Sequence, residues 1–426
     1  MAYKKNIEYN KTILNNGLRV VTEKIPTVRS VAIGIWIDVG SRDETRDQNG
    51  ISHFVEHMLF KGTRSLSAKK IAAALESLGG TLNAFTSREQ TCYHAYVLDE
   101  HLGQAVDVIS DILMYSTISA SNIDREKSVV IEEIHEVDES PADYIHELFS
   151  DRFWRGQPLG WPIMGTEKTV RTFNRRLIKF HMQDHYLASR VIVSAAGNVS
   201  HRKLVRLIKE KLDFLPGRDG RGEDAVYPEG ISVHFVKNGS SQTHLCLGFP
   251  GLRFDHPDKL KLLLLHAYLG GGMSSALFQK IREEKGLVYS VYTFADLYRD
   301  SGIFGAYLAS DRRRLHEAVE IMLKEFKKVK KSRLTADKLD SLKDQFKGSL
   351  LLGMESTSGR MNRLARQEIL TGRYMSLKET LRAVDRINAD DILEVARKIL
   401  NSGNITIAAL GSASRTDLEK VDWALL

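Results

Sequence analysis

The chain repeats part of its own sequence at a separation of about 215 residues, and this repetition constrains the fold more than any other feature. Residues 190–197 resemble residues 404–411, and further stretches match in the same order. Self-similarity at one fixed period indicates duplicated structural units. Between the copies lies a stretch rich in Gly, Pro and charge, a composition typical of linkers. The sequence therefore predicts two homologous domains, residues 1–215 and residues 231–426, which are joined by a linker at residues 216–230.

Each half contains both strand-like and helix-like segments. Residues 30–39 and 81–98 show the apolar pattern of strands, whereas residues 100–115 and 121–139 repeat apolar side chains at helical spacing. We therefore expect an α+β fold class, of α/β-sandwich type, in both domains.

The composition is that of a soluble globular protein, with 42% hydrophobic and 27% charged residues. The N-terminus lacks the apolar segment of a secretory signal, and the longest aliphatic run, 262–265, is too short to span a membrane. Cys92 and Cys246 lie in separate apolar, strand-like runs, which is typical of core thiols in a reducing compartment. We therefore predict a cytoplasmic protein without membrane insertion.

The net charge of +7 is moderate, and its densest basic stretches are 312–314 and 324–331. The second stretch lies on a charged helix, so a solvated face accounts for it. Neither stretch accompanies a nucleic-acid-binding motif, and no nucleic-acid partner is expected. A basic surface that attracts acidic segments of a polypeptide stays open.

The segment 51–60 carries two stripes at helical spacing. One stripe is apolar and consists of Ile51, Phe54, Val55, Met58 and Leu59. The neighbouring stripe holds His53, Glu56 and His57. Histidines at i and i+4 lie one above the other and can place two neutral nitrogens on one Zn²⁺ at about 2.0–2.1 Å. Glu56 lies off the His–His axis, where it can accept a proton from a water on the metal. Two such histidines alone are more typical of a core, but the complete H-x-x-E-H pattern favours a metal site.

His-Phe-Val-Glu-His, followed by Met-Leu-Phe-Lys-Gly-Thr, resembles the inverted zinc motif of the inverzincin family of pitrilysin, insulin-degrading enzyme and mitochondrial processing peptidase. The likeness is greatest to the bacterial processing-peptidase-like members and runs from about Thr12 to the C-terminus. It implies that each domain is a mainly antiparallel sheet covered by helices, and that the two domains form a clam-like half-chamber. It also implies one Zn²⁺ per chain, held by the N-terminal domain only.

A third metal ligand is expected on the helix 124–137. Glu126 and Glu133 fall on the same face as its apolar residues Val129, Val130, Ile134 and Val137, and an inward carboxylate implies a metal or a buried cation. Glu133 also matches the spacing of the family's glutamate ligand, and Glu126 matches the carboxylate that supports the ligands. The alternative, helix charges that the macrodipole favours, suits Glu126 better than Glu133. His181 and His185 repeat the i, i+4 spacing, but no companion glutamate is apparent and we expect a structural role.

Two further stretches resemble the family's substrate machinery. Asn83, Ala84 and Phe85 match the edge strand on which family members lay the peptide as an added strand. The alternative is an ordinary amphipathic hairpin. In the second half, a Gly-rich loop at 269–273 is followed by Arg282 and Tyr289, which match the family's Arg/Tyr pair. A guanidinium and a phenol can both donate hydrogen bonds to developing oxyanion charge.

These observations predict a zinc-dependent endopeptidase that cleaves extended peptides or unstructured protein segments. The resemblance implies His53, His57 and Glu133 as metal ligands, Glu56 as general base and a homodimeric assembly. Glu126, Arg282 and Tyr289 complete the predicted catalytic set. Two alternatives stay open: the catalytic subunit of an obligate heterodimer with an inactive homologue, and a non-catalytic chamber or binding protein. The intact motif argues against the second.

Overall fold

The computed structural model describes residues 7–217, 222–401 and 403–423. The strands are β1 (Glu8–Ile13), β2 (Arg19–Lys24), β3 (Ser30–Ile37), β4 (Thr81–Thr86), β5 (Thr91–Leu98), β6 (Val191–Gly197), β7 (Gly230–Lys237), β8 (Gln242–Pro250), β9 (Val288–Leu297), β10 (Gly302–Asp311) and β11 (Asn404–Gly411). The α-helices are α1 (Ile51–Leu59), α2 (Ala68–Glu76), α3 (Leu102–Tyr115), α4 (Ala120–Glu139), α5 (Pro141–Phe153), α6 (Glu167–Thr172), α7 (Arg175–His185), α8 (His201–Lys211), α9 (Lys259–Gly270), α10 (Leu315–Lys331), α11 (Ala336–Gly353), α12 (Thr357–Thr371), α13 (Leu377–Asp385), α14 (Ala389–Ile399) and α15 (Arg415–Glu419).

The chain divides into two compact units, each built from several segments. Unit 1 comprises Met1–His135, Trp161–Gly222 and Leu351–Tyr374. Unit 2 comprises Glu136–Gly160, Glu223–Leu350 and Met375–Leu426.

Unit 1 contains a mixed sheet with the strand order β1-β2-β6-β3-β5-β4. Only the β2–β6 pair is parallel among the described strands of this sheet; the other neighbours are antiparallel. The central strands β3 and β6 are buried along almost their whole length, which explains why their sequences read as continuous apolar runs. Helices α1, α3 and α8 contribute side chains to the core on one face of this sheet.

Unit 2 repeats this topology, with the strand order β7-β11-β8-β10-β9 and a parallel β7–β11 pair. Each of its strands has a counterpart in unit 1, where β1 is the additional strand. Its main core combines side chains of α9, α10 and α14 with those of β8, β10 and β11. The predicted α+β class, with mainly antiparallel sheets covered by helices, is confirmed, and the shared strand order agrees with a tandem duplication.

One helix of each unit comes from the opposite half of the sequence. Helix α12 forms a buried cluster with the second face of the unit 1 sheet, through Met361 and Leu364 beside Trp36 and Ile192. Helix α5 lies in the same way on the unit 2 sheet, where Phe149 packs with Cys246 and Tyr307 in one cluster. The compact units are therefore discontinuous in sequence. The boundaries 1–215, 216–230 and 231–426 follow the sequence repeat and stay a prediction.

The predicted linker stays a prediction, whereas the burial of the two cysteines agrees with their expected place in the core. Residues 212–217 and 222–229 form neither helix nor strand, and residues 218–221 lie outside the described part of the chain. Cys92 and Cys246 are both buried and free. No helix in the described ranges combines the length and the apolar character that crossing a membrane requires.

Candidate metal centre

Helix α1 places the motif side chains beside the core of unit 1. Its five predicted apolar residues are fully buried, and His53, Glu56 and His57 are only partly exposed on the neighbouring face. Gly50 begins the helix with a φ of 94°, a conformation that favours glycine. A Cβ at this position would lie 2.4 Å from the carbonyl oxygen of Met164, so the close approach of that loop also requires glycine.

Two histidines of α1 and one glutamate of α4 converge. Within the described residues, His53, His57 and Glu133 are the one group of three potential metal ligands whose donor atoms all lie within 4.8 Å of one another. Oε2 of Glu133 is 3.9 Å from Nε2 of His53 and 3.5 Å from Nε2 of His57. The sequence-predicted ligand set is thus brought together, although its role as a metal site stays a prediction.

The donor set fits zinc. Two imidazole nitrogens and one carboxylate are a known ligand combination of catalytic zinc sites, which leave a further position open. Burial, and then the neighbouring His57, lower the pKa of His53 to about 4, so this imidazole is neutral near pH 7. The neutral ring is the form that binds metal. Glu133 is 38% exposed in its side chain, so the group is accessible from solvent.

Glu126 contacts the nitrogen of His57 that does not face Glu133. Its carboxylate is buried, and its Oε2 lies 3.2 Å from Nδ1 of His57. Its Oε1 lies 2.9 Å from Nζ of Lys61, which offsets the charge of this buried acid. Lys61 was not predicted from the sequence. It lies beyond the end of α1 at Leu59, so helical spacing gives no signal for this contact.

The predicted inward face of α4 needs one correction. Val130 and Ile134 are buried, but Val129 is 42% exposed and does not belong to that face. Val129 is one residue, or about 100° of helix rotation, away from Val130. The buried stripe instead includes Ile123 and Ile131.

Glu56 lies on the same stripe of α1 as the histidines but outside the ligand group. Its Oε2 accepts a hydrogen bond of 2.6 Å from the hydroxyl of Thr86, the last residue of β4. Burial raises the pKa of Glu56 above the usual range, and the Thr86 hydrogen bond opposes part of that rise. A carboxylate with a raised pKa suits proton transfer near neutral pH. Sequence analysis did not identify Thr86.

The three predicted substrate residues lie on β4, at the end of the unit 1 sheet. Asn83, Ala84 and Phe85 pair with β5 on one side, opposite His94, Tyr93 and Cys92. In the described chain no strand pairs with the other side of β4. An end strand of this kind can accept an extended peptide through main-chain hydrogen bonds.

Arg282 and Tyr289 meet in unit 2. Arg282 lies in a π-helical turn, Phe278–Glu283, a rare geometry that is frequent at functional sites. Its guanidinium is 5.2 Å from the ring centroid of Tyr289, which is 75% exposed at the start of β9. In the Gly-rich loop, a Cβ on Gly270 would lie 2.2 Å from the backbone nitrogen of Thr293, so glycine is required there.

The second histidine pair, His181 and His185, has hydrogen-bond partners within unit 1. His181 is buried, and its Nε2 lies 3.3 Å from the hydroxyl oxygen of Ser52. Nδ1 of His185 lies 3.3 Å from a guanidinium nitrogen of Arg190. Among the residues that the structure describes, neither histidine belongs to a group of three potential metal ligands.

Two sheets share a strand order over five strands, and helices beside the first carry the His–His–Glu group, an arrangement that agrees with the H-x-x-E-H motif of a class of metallopeptidases. Residues 19–167 match the family described as Insulinase (Peptidase family M16), and residues 172–346 match its Peptidase M16 inactive domain. The chain belongs to peptidase family M16, and the predicted membership is confirmed.

Curated bacterial relatives match along nearly the whole chain. An uncharacterized zinc protease of Bacillus subtilis is 41% identical over 388 residues, which cover 90% of this chain and 94% of the relative. An uncharacterized zinc protease of Streptomyces coelicolor is 39% identical over 399 residues, or 92% and 87% of the two chains.

Solved structures support the fold. A protease from Helicobacter pylori has a TM-score of 0.88 at 22% identity and covers 95% of this chain and 99% of its own. A peptidase M16 inactive domain from Pseudomonas fluorescens has a TM-score of 0.89 at 19% identity, with coverage of 96% and 99%. At these identities the likeness concerns the fold alone.

Proposed function

We propose that this protein is a zinc-dependent endopeptidase that cleaves extended peptides or unstructured protein segments. The observation that carries the proposal is the convergence of His53, His57 and Glu133, with Glu56 on the same helix stripe but outside their ligand group. Membership of family M16 and the names of the zinc-protease relatives support it.

In this proposal the residues of α1 and α4 have two roles, zinc binding and proton transfer. His53, His57 and Glu133 hold one Zn²⁺ per chain, and Glu126 orients His57. When bound, zinc supplies Lewis acidity, which activates water and polarises the scissile carbonyl. Glu56 takes a proton from the attacking water and delivers it to the leaving amine, while the Thr86 hydrogen bond holds its carboxylate in place.

We propose that the remaining predicted residues bind the substrate. Asn83, Ala84 and Phe85 align an extended peptide along the free side of β4, which provides affinity without demanding a particular sequence. By resemblance to the family, Arg282 and Tyr289 donate hydrogen bonds to the tetrahedral intermediate. The resemblance also supports a closed chamber, assembly as a homodimer and a cytoplasmic location.

The proposal is tested with the purified full-length chain and an unstructured fluorogenic peptide. We expect cleavage that a chelator abolishes and added Zn²⁺ restores. Light scattering on the same sample distinguishes a self-sufficient homodimer from one subunit of a heterodimer. An absence of cleavage by zinc-loaded chain, across several unstructured peptides, would contradict the proposal and favour a heterodimeric or non-catalytic protein.

A further inference from the structure

A buried carboxylate outside the H-x-x-E-H motif holds the beginning of α1. Glu44 is 5% exposed, and its two oxygens accept three hydrogen bonds. Oε1 accepts from the backbone N–H of Ser52 at 2.8 Å. Oε2 accepts from the backbone N–H of Gly50 at 2.7 Å and from the side-chain amide of Asn49 at 3.0 Å. Glu44 therefore binds main-chain groups on both sides of the first residue of the helix.

This carboxylate replaces the usual helix cap. The N-cap residue of α1 is Gly50, which has no side chain to accept a hydrogen bond, and the first turn contains no acidic residue. Burial raises the pKa of Glu44 to about 7, and the hydrogen bonds from Ser52, Gly50 and Asn49 oppose part of that rise. Glu44 supplies the missing capping hydrogen bonds from six residues before Gly50.

The same region is attached to the 161–165 loop. The side-chain amide of Asn49 donates a second hydrogen bond, of 2.9 Å, to the carbonyl oxygen of Pro162. Gly50 and Gly165 approach so closely that a Cβ on Gly165 would lie 2.3 Å from the carbonyl oxygen of Asn49. The start of α1 is thus fixed in both position and direction.

The two histidines of α1 differ in how they are oriented. Nδ1 of His57 lies 3.2 Å from Oε2 of Glu126. A histidine that binds metal through one ring nitrogen usually forms such a hydrogen bond through the other. Nδ1 of His53 is buried and has no hydrogen-bond partner within the described residues. The direction of the His53 ring therefore depends on its backbone and packing, and the preceding residue, Ser52, is the one that Glu44 binds.

The duplicated half provides a comparison. Helix α9 is the counterpart of α1 and lacks the H-x-x-E-H motif. Its N-cap residue, Asp258, makes no capping hydrogen bond through its side chain and pairs with Lys261 at 2.9 Å. Asp258 is also about a quarter exposed in its side chain. The buried carboxylate cap accompanies the copy that carries the motif.

We infer that Glu44 is a positioning residue of the metal site. By binding the amides of Gly50 and Ser52, it fixes the start and the rotation of α1, and through them the direction in which His53 presents Nε2. The inference rests on the proposed function, because it assumes that His53 is a zinc ligand. Its alternative is that Glu44 stabilises unit 1 without any specific effect on metal binding.

A matched pair of variants separates these two roles. Glu44→Gln keeps the shape of the side chain but replaces one acceptor oxygen with an amide group that can only donate. Glu368→Gln changes another buried carboxylate of unit 1, which pairs with Lys11 and Arg19 at the β1–β2 end of the sheet, away from β4. Zinc affinity of the full-length proteins is measured by competition with a chromophoric chelator, and the Co²⁺ absorption spectrum reports ligand geometry.

We expect Glu44→Gln to raise the zinc Kd by about 10–100-fold and to change the Co²⁺ spectrum, as loss of groups that orient metal ligands typically does. Glu368→Gln should keep the wild-type zinc Kd and spectrum even where its thermal stability falls. A wild-type zinc Kd in folded Glu44→Gln would overturn the inference. An equal rise of the Kd in Glu368→Gln would overturn it too, because the effect would then be general destabilisation.

Glu44→Asp decides the question if Glu44→Gln does not fold. It keeps both carboxyl oxygens but shortens the side chain by one carbon, so we expect a zinc Kd above that of the wild type. A wild-type Kd here would overturn the inference. If the wild-type protein binds zinc but cleaves no peptide, only the proposed function fails. If the wild type binds no zinc, both fall together.

Discussion

Oε2 of Glu126 lies 3.2 Å from Nδ1 of His57, while Nε2 of the same ring points to Glu133. The imidazole of His57 therefore lies between two carboxylates, the buried one of Glu126 and that of Glu133. Such a carboxylate fixes the tautomer of the ring and increases its basicity as a ligand. Lys61 keeps Glu126 paired in its buried position.

Glu126→Gln should weaken zinc binding without abolishing it. The amide can still contact His57 but carries no charge, so we expect a rise of about 10–100-fold in the zinc Kd. Glu136→Gln, an exposed change on the same helix, serves as the control and should bind zinc as the wild type does. Chelator competition measures both. Equal zinc affinities in the two variants would show that Glu126 does not support the site.

Glu133→Ala should lose zinc as well as peptidase activity, because it removes one of three predicted ligands. His53→Ala should behave in the same way. Glu132→Ala is the matched control, since Glu132 is the exposed neighbour on α4. Zinc content after dialysis, measured by atomic absorption, is the readout. Glu132→Ala should keep its zinc. Full zinc occupancy in Glu133→Ala would mean that the third ligand lies elsewhere; loss of zinc in Glu132→Ala would then indicate Glu132, and otherwise Glu126 would be the next residue to test.

Tyr289→Phe should reduce kcat by about 10²–10³-fold, the loss typical of one oxyanion donor. It removes a single hydroxyl from a 75% exposed side chain, so folding and zinc content should not change. Tyr292→Phe is the control: its hydroxyl lies 2.8 Å from Nε2 of His146 and its loss should leave kcat unchanged. Steady-state kinetics on a fluorogenic peptide distinguish the outcomes. A higher KM at constant kcat would show that Tyr289 only binds substrate.

Thermal stability should fall as the pH is lowered below 6.5, because the buried His181 resists protonation in the folded protein. Burial lowers the pKa of His181 to about 3, well below the ordinary value of 6.5 that it regains on unfolding. Between these two pH values the unfolded chain binds a proton that the folded chain excludes. Folding therefore loses up to about 1.4 kcal/mol for each pH unit below 6.5 from this residue.

Melting temperatures at pH 7.5 and pH 5 test this dependence. His181→Gln should show a smaller decrease between the two pH values than the wild type. His316→Gln, at a half-exposed histidine of α10, should show the wild-type decrease. Equal decreases in the wild type and His181→Gln would mean that His181 is not the group that titrates.

Most of the site was predictable from the sequence because its residues lie on two amphipathic helices. The helical period of α1 separates His53 and His57 from the buried stripe, and that of α4 turns Glu126 and Glu133 to one side. The error at Val129 has the same origin: a residue at the edge of the stripe cannot be assigned from rotation alone. Its exposure depends on what packs beside α4.

Glu44, Lys61 and Thr86 could not be predicted in the same way. Each acts through a hydrogen bond or an ion pair to a residue whose position is decided by tertiary structure. Thr86, for example, lies on β4 and donates to Glu56 on helix α1. It was also not predicted that α5, from the first half of the sequence, packs on the unit 2 sheet, or that α12, from the second half, packs on the unit 1 sheet. Periodicity shows that a helix has an apolar face, but it does not identify the sheet that covers this face.

The central claim, that Glu56 is the general base and not a metal ligand, is tested most directly by Glu56→Gln. Zinc content and peptide cleavage are measured on the same preparation of full-length protein. We predict zinc content equal to that of the wild type, with cleavage reduced by about 10²–10⁴-fold or more. Wild-type turnover in the zinc-loaded variant would contradict the mechanism, and loss of zinc would show that Glu56 belongs to the ligand group instead.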